Sequence, residues 1–236
     1  MAKFGFAVPI LPGKEDLAMT RSIAEIRRRM TEYEESRRRA GITLERVFAQ
    51  RNPDGSNLFV IYSEAAGGLG DVIRAFATSG SDFDRWFFDV NQEISGIDFR
   101  QPPPGGGPEH LASWEDSSGR RGRGLAFAAP LQPGKAGTAR VWAREAFEMR
   151  RPEMTETRRA LRQTREEVFF SSTPQGDVVV VYLEGEDPVL ANREFAASTR
   201  PYDRWFKDSL KELFPPFIDF GQPVPPNETV WDWSRG

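Results

Sequence analysis

The chain has 236 residues, a formal net charge of −3, 28% charged and 39% hydrophobic residues, no Cys and a single His, His110. This composition describes an ordinary globular protein that buries roughly 70% of its unfolded surface, and the absence of Cys excludes thiol catalysis, disulfide scaffolds, iron–sulfur clusters and zinc fingers. No apolar run approaches the ~18 residues of a membrane span, and the opening stretch lacks the features of a signal peptide, so a cytoplasmic protein is expected.

In chain order, Phe4–Leu11 is a short apolar run closed by Pro12-Gly13, a strand and turn. From Glu15 to Ala40 the period changes. Met19, Ile23, Ile26, Met30 and Tyr33 are spaced 4, 3, 4 and 3, which predicts one long amphipathic helix stopped by Gly41. Thr43–Gln50 and Leu58–Ser63 read as strands on either side of the turn residues Asn52-Pro-Asp-Gly55. Leu69–Ala77 and Asp82–Gln92 read as helices, Pro and Gly fill 102–108, and Glu109–Glu115 is a last short strand.

The same plan then begins again. Phe6-Ala-Val-Pro-Ile-Leu-Pro-Gly-Lys14 recurs as Phe127-Ala-Ala-Pro-Leu-Gln-Pro-Gly-Lys135, identical at six of nine positions and 121 residues on. Glu35-Ser-Arg-Arg38 recurs as Glu156-Thr-Arg-Arg159, and Asp84-Arg-Trp-Phe87 as Asp203-Arg-Trp-Phe206. Tyr62 matches Tyr182, and Ile97-Asp-Phe99 matches Ile218-Asp-Phe220. These matches keep their order along the chain, so the sequence predicts two homologous repeats, 4–116 and 125–234. Ser117 to Gly124, rich in Gly, Ser and Arg, is expected to be a solvated linker. The second repeat differs in one respect. Pro152 falls inside its long helix and should break it, whereas Thr31 keeps its N–H and should let the first repeat's helix run through.

Strand–helix–strand–strand–helix–strand is the ferredoxin-like plan, an antiparallel sheet with helices on one face. Runs such as Leu58–Tyr62 and Val178–Tyr182 are apolar at successive positions. They predict that the two sheets pack face to face as a pseudo-dimeric α+β barrel within one chain. With its three repeated motifs the chain resembles the dimeric α+β barrel superfamily, and within it an uncharacterised bacterial family. That resemblance implies the barrel fold but no established activity. Better understood members of the superfamily include cofactor-independent monooxygenases, lactone isomerases and haem proteins of the chlorite dismutase type. The haem proteins hold their iron through a helical His in the second half, and here the one His stands at the end of the first.

Among residues able to do chemistry, Arg85 and Arg204 could clamp an anion with Trp86 and Trp205 stacked on it. The alternative is that Asp84 and Asp203 support helix starts while the aromatics pack. Tyr62 and Tyr182 could orient a substrate from inside a barrel, or simply pack and bond at their tips. Tyr33 and His110 have no chemical counterpart in the second repeat, where Met154 stands for Tyr33. The better-formed pocket is therefore expected in the first repeat. The Arg runs at 27–29, 37–39, 150–151 and 158–159 are interleaved with Glu, which predicts a solvated, ion-paired helix face rather than a nucleic-acid surface. No phosphate loop, nucleophile elbow or metal-ligand cluster is visible. The sequence thus predicts a protein with no metal and no cofactor that binds a small molecule without catalysis. The alternative is a monooxygenase-like or isomerase-like enzyme with its site in the first repeat.

Overall fold

A computed structural model describes residues 1–101, 106–224 and 227–235; residues 102–105 of the expected Pro/Gly-rich stretch lie outside them. The chain is α+β. It runs β1 (Ala2–Ile10), α1 (Ser22–Arg28), α2 (Met30–Arg39), β2 (Ile42–Arg51), β3 (Asn57–Ala65), α3 (Leu69–Ala77), α4 (Asp82–Ser95) and β4 (Glu109–Glu115). It continues as β5 (Arg123–Pro130), α5 (Ala136–Arg144), α6 (Arg151–Ala160), β6 (Gln163–Thr173), β7 (Gly176–Gly185), α7 (Pro188–Ala197), α8 (Pro201–Leu210) and β8 (Glu228–Ser234). The strands form two four-stranded antiparallel sheets, ordered β1-β3-β2-β8 and β4-β6-β7-β5. No helix of the described residues is long and apolar enough to cross a membrane.

The closing strands are exchanged. The sequence plan has β4 finishing the first repeat's sheet and β8 the second's, but β4 pairs with β6 and β8 pairs with β2. The compact units are therefore residues 1–107 with 228–236, and residues 108–227. Alternation shows that a segment is a strand without naming its partner. Here the two candidate edges carry the same Val-Phe pair, at Val47-Phe48 and Val168-Phe169. Side chains hold the exchange in place. Arg46 Nε meets Asp232 at 2.9 Å in the first unit, and buried Trp114 donates its indole N–H to Thr155 at 2.9 Å in the second.

Each unit packs helices on one face of its sheet. In the first, Val8, Ile10 and Phe59 meet Ala18, Val90 and Ile94. In the second, Trp114, Val168, Phe170 and Val179 meet Phe147, Met154, Phe206 and Leu210. The repeated Pro-Gly-Lys is a turn. Gly13 and Gly134 sit at φ +79° and +78°, a conformation glycine adopts without penalty. The expected linker is less free than its composition suggests. Gly122 N–H donates to buried Glu184 at 3.0 Å, a Cβ there would lie 2.3 Å from the Gly185 carbonyl oxygen, and β5 already begins at Arg123.

The long helix is broken in both units, against the expectation that only Pro152 would interrupt it. Arg29 sits at φ −106°, ψ 33°, and Arg150, 121 residues further on, at φ −106°, ψ 25°. A short stretch of π-helix precedes each break, at Leu17–Arg21 and Glu145–Met149. Since the helix breaks at Arg29 with no proline nearby, the break needs none, and the two arginines share a packing arrangement. The Arg29 guanidinium lies 5.0 Å from the Phe83 ring centroid and pairs with Glu32. That of Arg150 lies 3.9 Å from the Trp205 centroid and pairs with Glu153. Pro152 falls in the first turn of α6, where its missing N–H costs nothing. Pro152→Ala is accordingly expected to shift stability by less than about 1 kcal/mol and to leave the break at Arg150. Denaturant midpoints and backbone chemical shifts check this, and a helix continuous through residue 150 would refute the packing explanation.

Candidate functional site

The two strongest motifs meet inside each unit. In the second, Arg158 of the Glu-Thr-Arg-Arg motif is 2% exposed, and its Nε donates to Glu166 on β6 at 2.6 Å. Its Nη1 reaches Asp203, which opens the Asp-Arg-Trp-Phe motif, at 3.4 Å. The guanidinium lies 4.9 Å from the Phe195 ring centroid and 4.8 Å from that of Phe206. In the first unit Arg37, 1% exposed, bonds Glu45 at 2.7 Å, and the neighbouring Ser36 hydroxyl donates to Asp84 at 2.5 Å. These two arginines were expected on a solvated face. Burial pushes both guanidinium pKa values down, and the facing carboxylates more than reverse it, leaving both raised. The interleaved Glu signal was real, but periodicity did not show that one Arg of the run 37–39 and one of 158–159 turn inward.

Beside the second pair lies a cavity of about 70 Å3. Its walls are apolar, with Leu131, Trp142, Val168, Val179, Phe206, Leu213 and Phe214 prominent among them, and Arg158, Glu166, Gln163, Asn192 and Gln222 add the polar surface. An apolar hollow with a few oriented polar groups is the usual form of a small-molecule site. It is about half the ~150 Å3 that accepts a benzene ring, so a ring enters only with displacement of lining side chains. The Glu166 carboxylate is engaged by Arg158 through both oxygens, at 2.6 and 3.5 Å. Such a carboxylate orients its neighbours better than it abstracts protons.

The residues singled out in the sequence are dispersed. Tyr33 belongs to the first unit and His110, on β4, to the second. Tyr33 is buried, donates to Glu45 at 2.8 Å and accepts from the Trp231 indole at 2.7 Å. Burial, reinforced by Glu45, pushes its phenol pKa well up. Met154, standing for Tyr33 in the second unit, is buried and offers no hydroxyl to Glu166. His110 Nε2 lies 2.8 Å from Glu167, with its ring stacked on Phe169 at 4.8 Å. Tyr62 donates to Glu64 at 2.7 Å and Tyr182 to Glu184 at 2.6 Å, each pair buried. Arg85 and Arg204 are exposed, and Arg85 pairs with Asp82. The faces of Trp86 and Trp205 carry the guanidinium groups of Arg29 and Arg150, at 5.7 and 3.9 Å. The expected first-repeat cluster of Tyr33, Tyr62, Arg85, Trp86 and His110 is thus divided between units, and the cavity described above is in the second. Among the described residues no group of three His, Asp or Glu is placed to hold a metal ion.

Comparison with known proteins adds a match over one segment and a fold. Residues 126–220 match a family of unknown function, DUF6176. That segment contains the buried Arg158 triad and most of the cavity wall. No curated protein matches the chain. The solved structure of a monooxygenase-like protein from Lactobacillus acidophilus NCFM is similar over 100% of this chain and 98% of its own, at 8% identity and a TM-score of 0.53. An anthrone oxidase-like protein is similar over 98% of this chain and 92% of its own, at 10% identity and a TM-score of 0.51. At such identity the likeness concerns the fold: an α+β architecture shared with monooxygenase-like proteins.

Proposed function

We propose that the chain is a tandem duplicate of two ferredoxin-like repeats closed into an intramolecular α+β barrel, and that it binds a small molecule in the cavity of its second unit. The ordered recurrence of the motifs and the full-length likeness to monooxygenase-like proteins support the architecture. The observation that carries the function is the cavity itself, apolar along its walls and lined by a self-neutralised Arg158–Glu166 pair. Binding without catalysis accounts for this better than acid–base chemistry, because the facing carboxylate is already engaged. No nucleic-acid partner enters the reading, since arginines of these helices such as Arg28, Arg29, Arg150 and Arg158 are paired with Glu.

The test is methyl NMR of Leu and Val residues during titration with toluene. Shifts centred on Leu131, Val168, Val179 and Leu213 are expected. Shifts confined elsewhere, or none at millimolar toluene, would remove the reading. The second reading, an enzyme of the monooxygenase kind working without metal or organic cofactor, is favoured by what the neighbouring structures are named. Oxygen uptake with anthrone as substrate in metal-free buffer would establish it in place of simple binding.

A further inference from the structure

We propose that Gln163 is the hydrogen-bonding anchor of the second unit's cavity, and that the ligand it selects is a neutral, mostly apolar molecule carrying a hydroxyl. This rests on the binding reading above and names its ligand class. Gln163 opens β6 opposite Gly185, lines the cavity and is 5% exposed. Its side-chain carbonyl oxygen is buried and has no hydrogen-bond partner among the described residues. A buried amide oxygen left unsatisfied is a standing cost to the fold, so its presence calls for a reason.

The fold does not supply one. In the other sheet the same place is held by Ile42, which opens β2 opposite Ala65, with the same irregularity between it and the second residue on. Ile42 is buried and packs with Phe4, Val72 and Phe76. An apolar residue therefore satisfies this register, and the amide answers to something other than packing. Asn192 on α7 gives a second contrast, since Ile73 stands 119 residues earlier on α3. Asn192, however, is partnered, donating to the Val224 carbonyl at 2.9 Å. Of these two cavity amides, Gln163 is the one whose oxygen has no partner among the described residues.

The surroundings restrict what can meet it. Arg158 and Glu166 neutralise each other, so a charged ligand would enter an apolar space without a counter-ion. A hydroxyl both donates and accepts, and so satisfies the amide whichever way its oxygen and nitrogen are turned. Trp142, Phe206 and Phe214 favour an apolar or aromatic body behind that hydroxyl.

The experiment pairs phenol with toluene, which share a ring and differ at the donor, and adds benzoate as the charged control. In the parent protein, phenol is expected to bind about tenfold tighter than toluene, the worth of one good hydrogen bond, with benzoate excluded. Gln163→Met, close in volume, is expected to bring phenol and toluene within about twofold. It should also raise the ligand-free Tm by about 2–4 °C, because an unsatisfied amide is replaced by an apolar chain. A structural amide would instead lower Tm on removal. Gln163→Ile, the residue the other sheet accepts, serves the same purpose should the Met variant fold poorly. A phenol preference that survives both substitutions, or a Tm that falls in both, would overturn the proposal. Toluene binding with no phenol preference in the parent would overturn it while leaving the cavity reading in place; binding of neither probe would remove both.

Discussion

Trp114→Ala is expected to destabilise the second unit by about 3–5 kcal/mol, although its sequence neighbours belong to the first repeat. The indole is almost fully buried, packs in the second unit's core and donates its N–H to Thr155 across 2.9 Å. Its removal leaves a large void and an unpartnered hydroxyl. The effect should also be local. Hydrogen exchange should show protection lost in β6 and β7 first, while β1 and β3 keep theirs. Equal loss across both units, or loss confined to the first, would contradict the strand exchange.

Arg158→Met is expected to cost about 3–5 kcal/mol, because it strands Glu166 as a buried, uncompensated carboxylate and takes from Asp203 one of its two arginine partners. Adding Glu166→Gln should restore part of the loss. The pH dependence has a definite sign. Stranded carboxylates bind protons more tightly folded than unfolded, so the single variant's deficit should shrink as the pH falls. Arg85→Ala and Arg204→Ala, at exposed positions, should each stay within about 0.5 kcal/mol of the parent. Urea denaturation of the four variants at neutral and acid pH measures all of this. A mild Arg158→Met alongside a severe Arg204→Ala would reverse the assignment of the buried cation.

The contrast between those arginines shows how far residue patterns reach. Strands and helices were legible, down to the bounds of Leu69–Ala77 and Glu109–Glu115, because side-chain periodicity follows from backbone geometry alone. The partner of each closing strand was not legible, since β2 and β6 share the Val-Phe pair and alternation alone does not name which edge a strand joins. The helix break was ascribed to Pro152 because proline is the local signal, yet the helix breaks the same way at Arg29, which packs on Phe83 and Trp86 far along the chain. Within the motif Glu-Thr-Arg-Arg, which Arg turns inward is decided by Glu166 and Asp203, residues that sequence distance hides. Gln163 escaped notice for the same reason: an amide becomes informative only when its missing partner can be seen.

The exchanged strands also impose an order on synthesis. Residues 108–227 form the second unit from one continuous stretch, so it can fold as soon as that stretch has left the ribosome. The first unit, begun earlier, must wait. The β2 edge pairs with β8, as in the contact of Arg46 with Asp232, 186 residues downstream. Until residue 234 emerges, that edge presents unpaired backbone groups to any nearby strand. The half of the protein made first is thus the half finished last, and its nascent form is the one most in need of a chaperone.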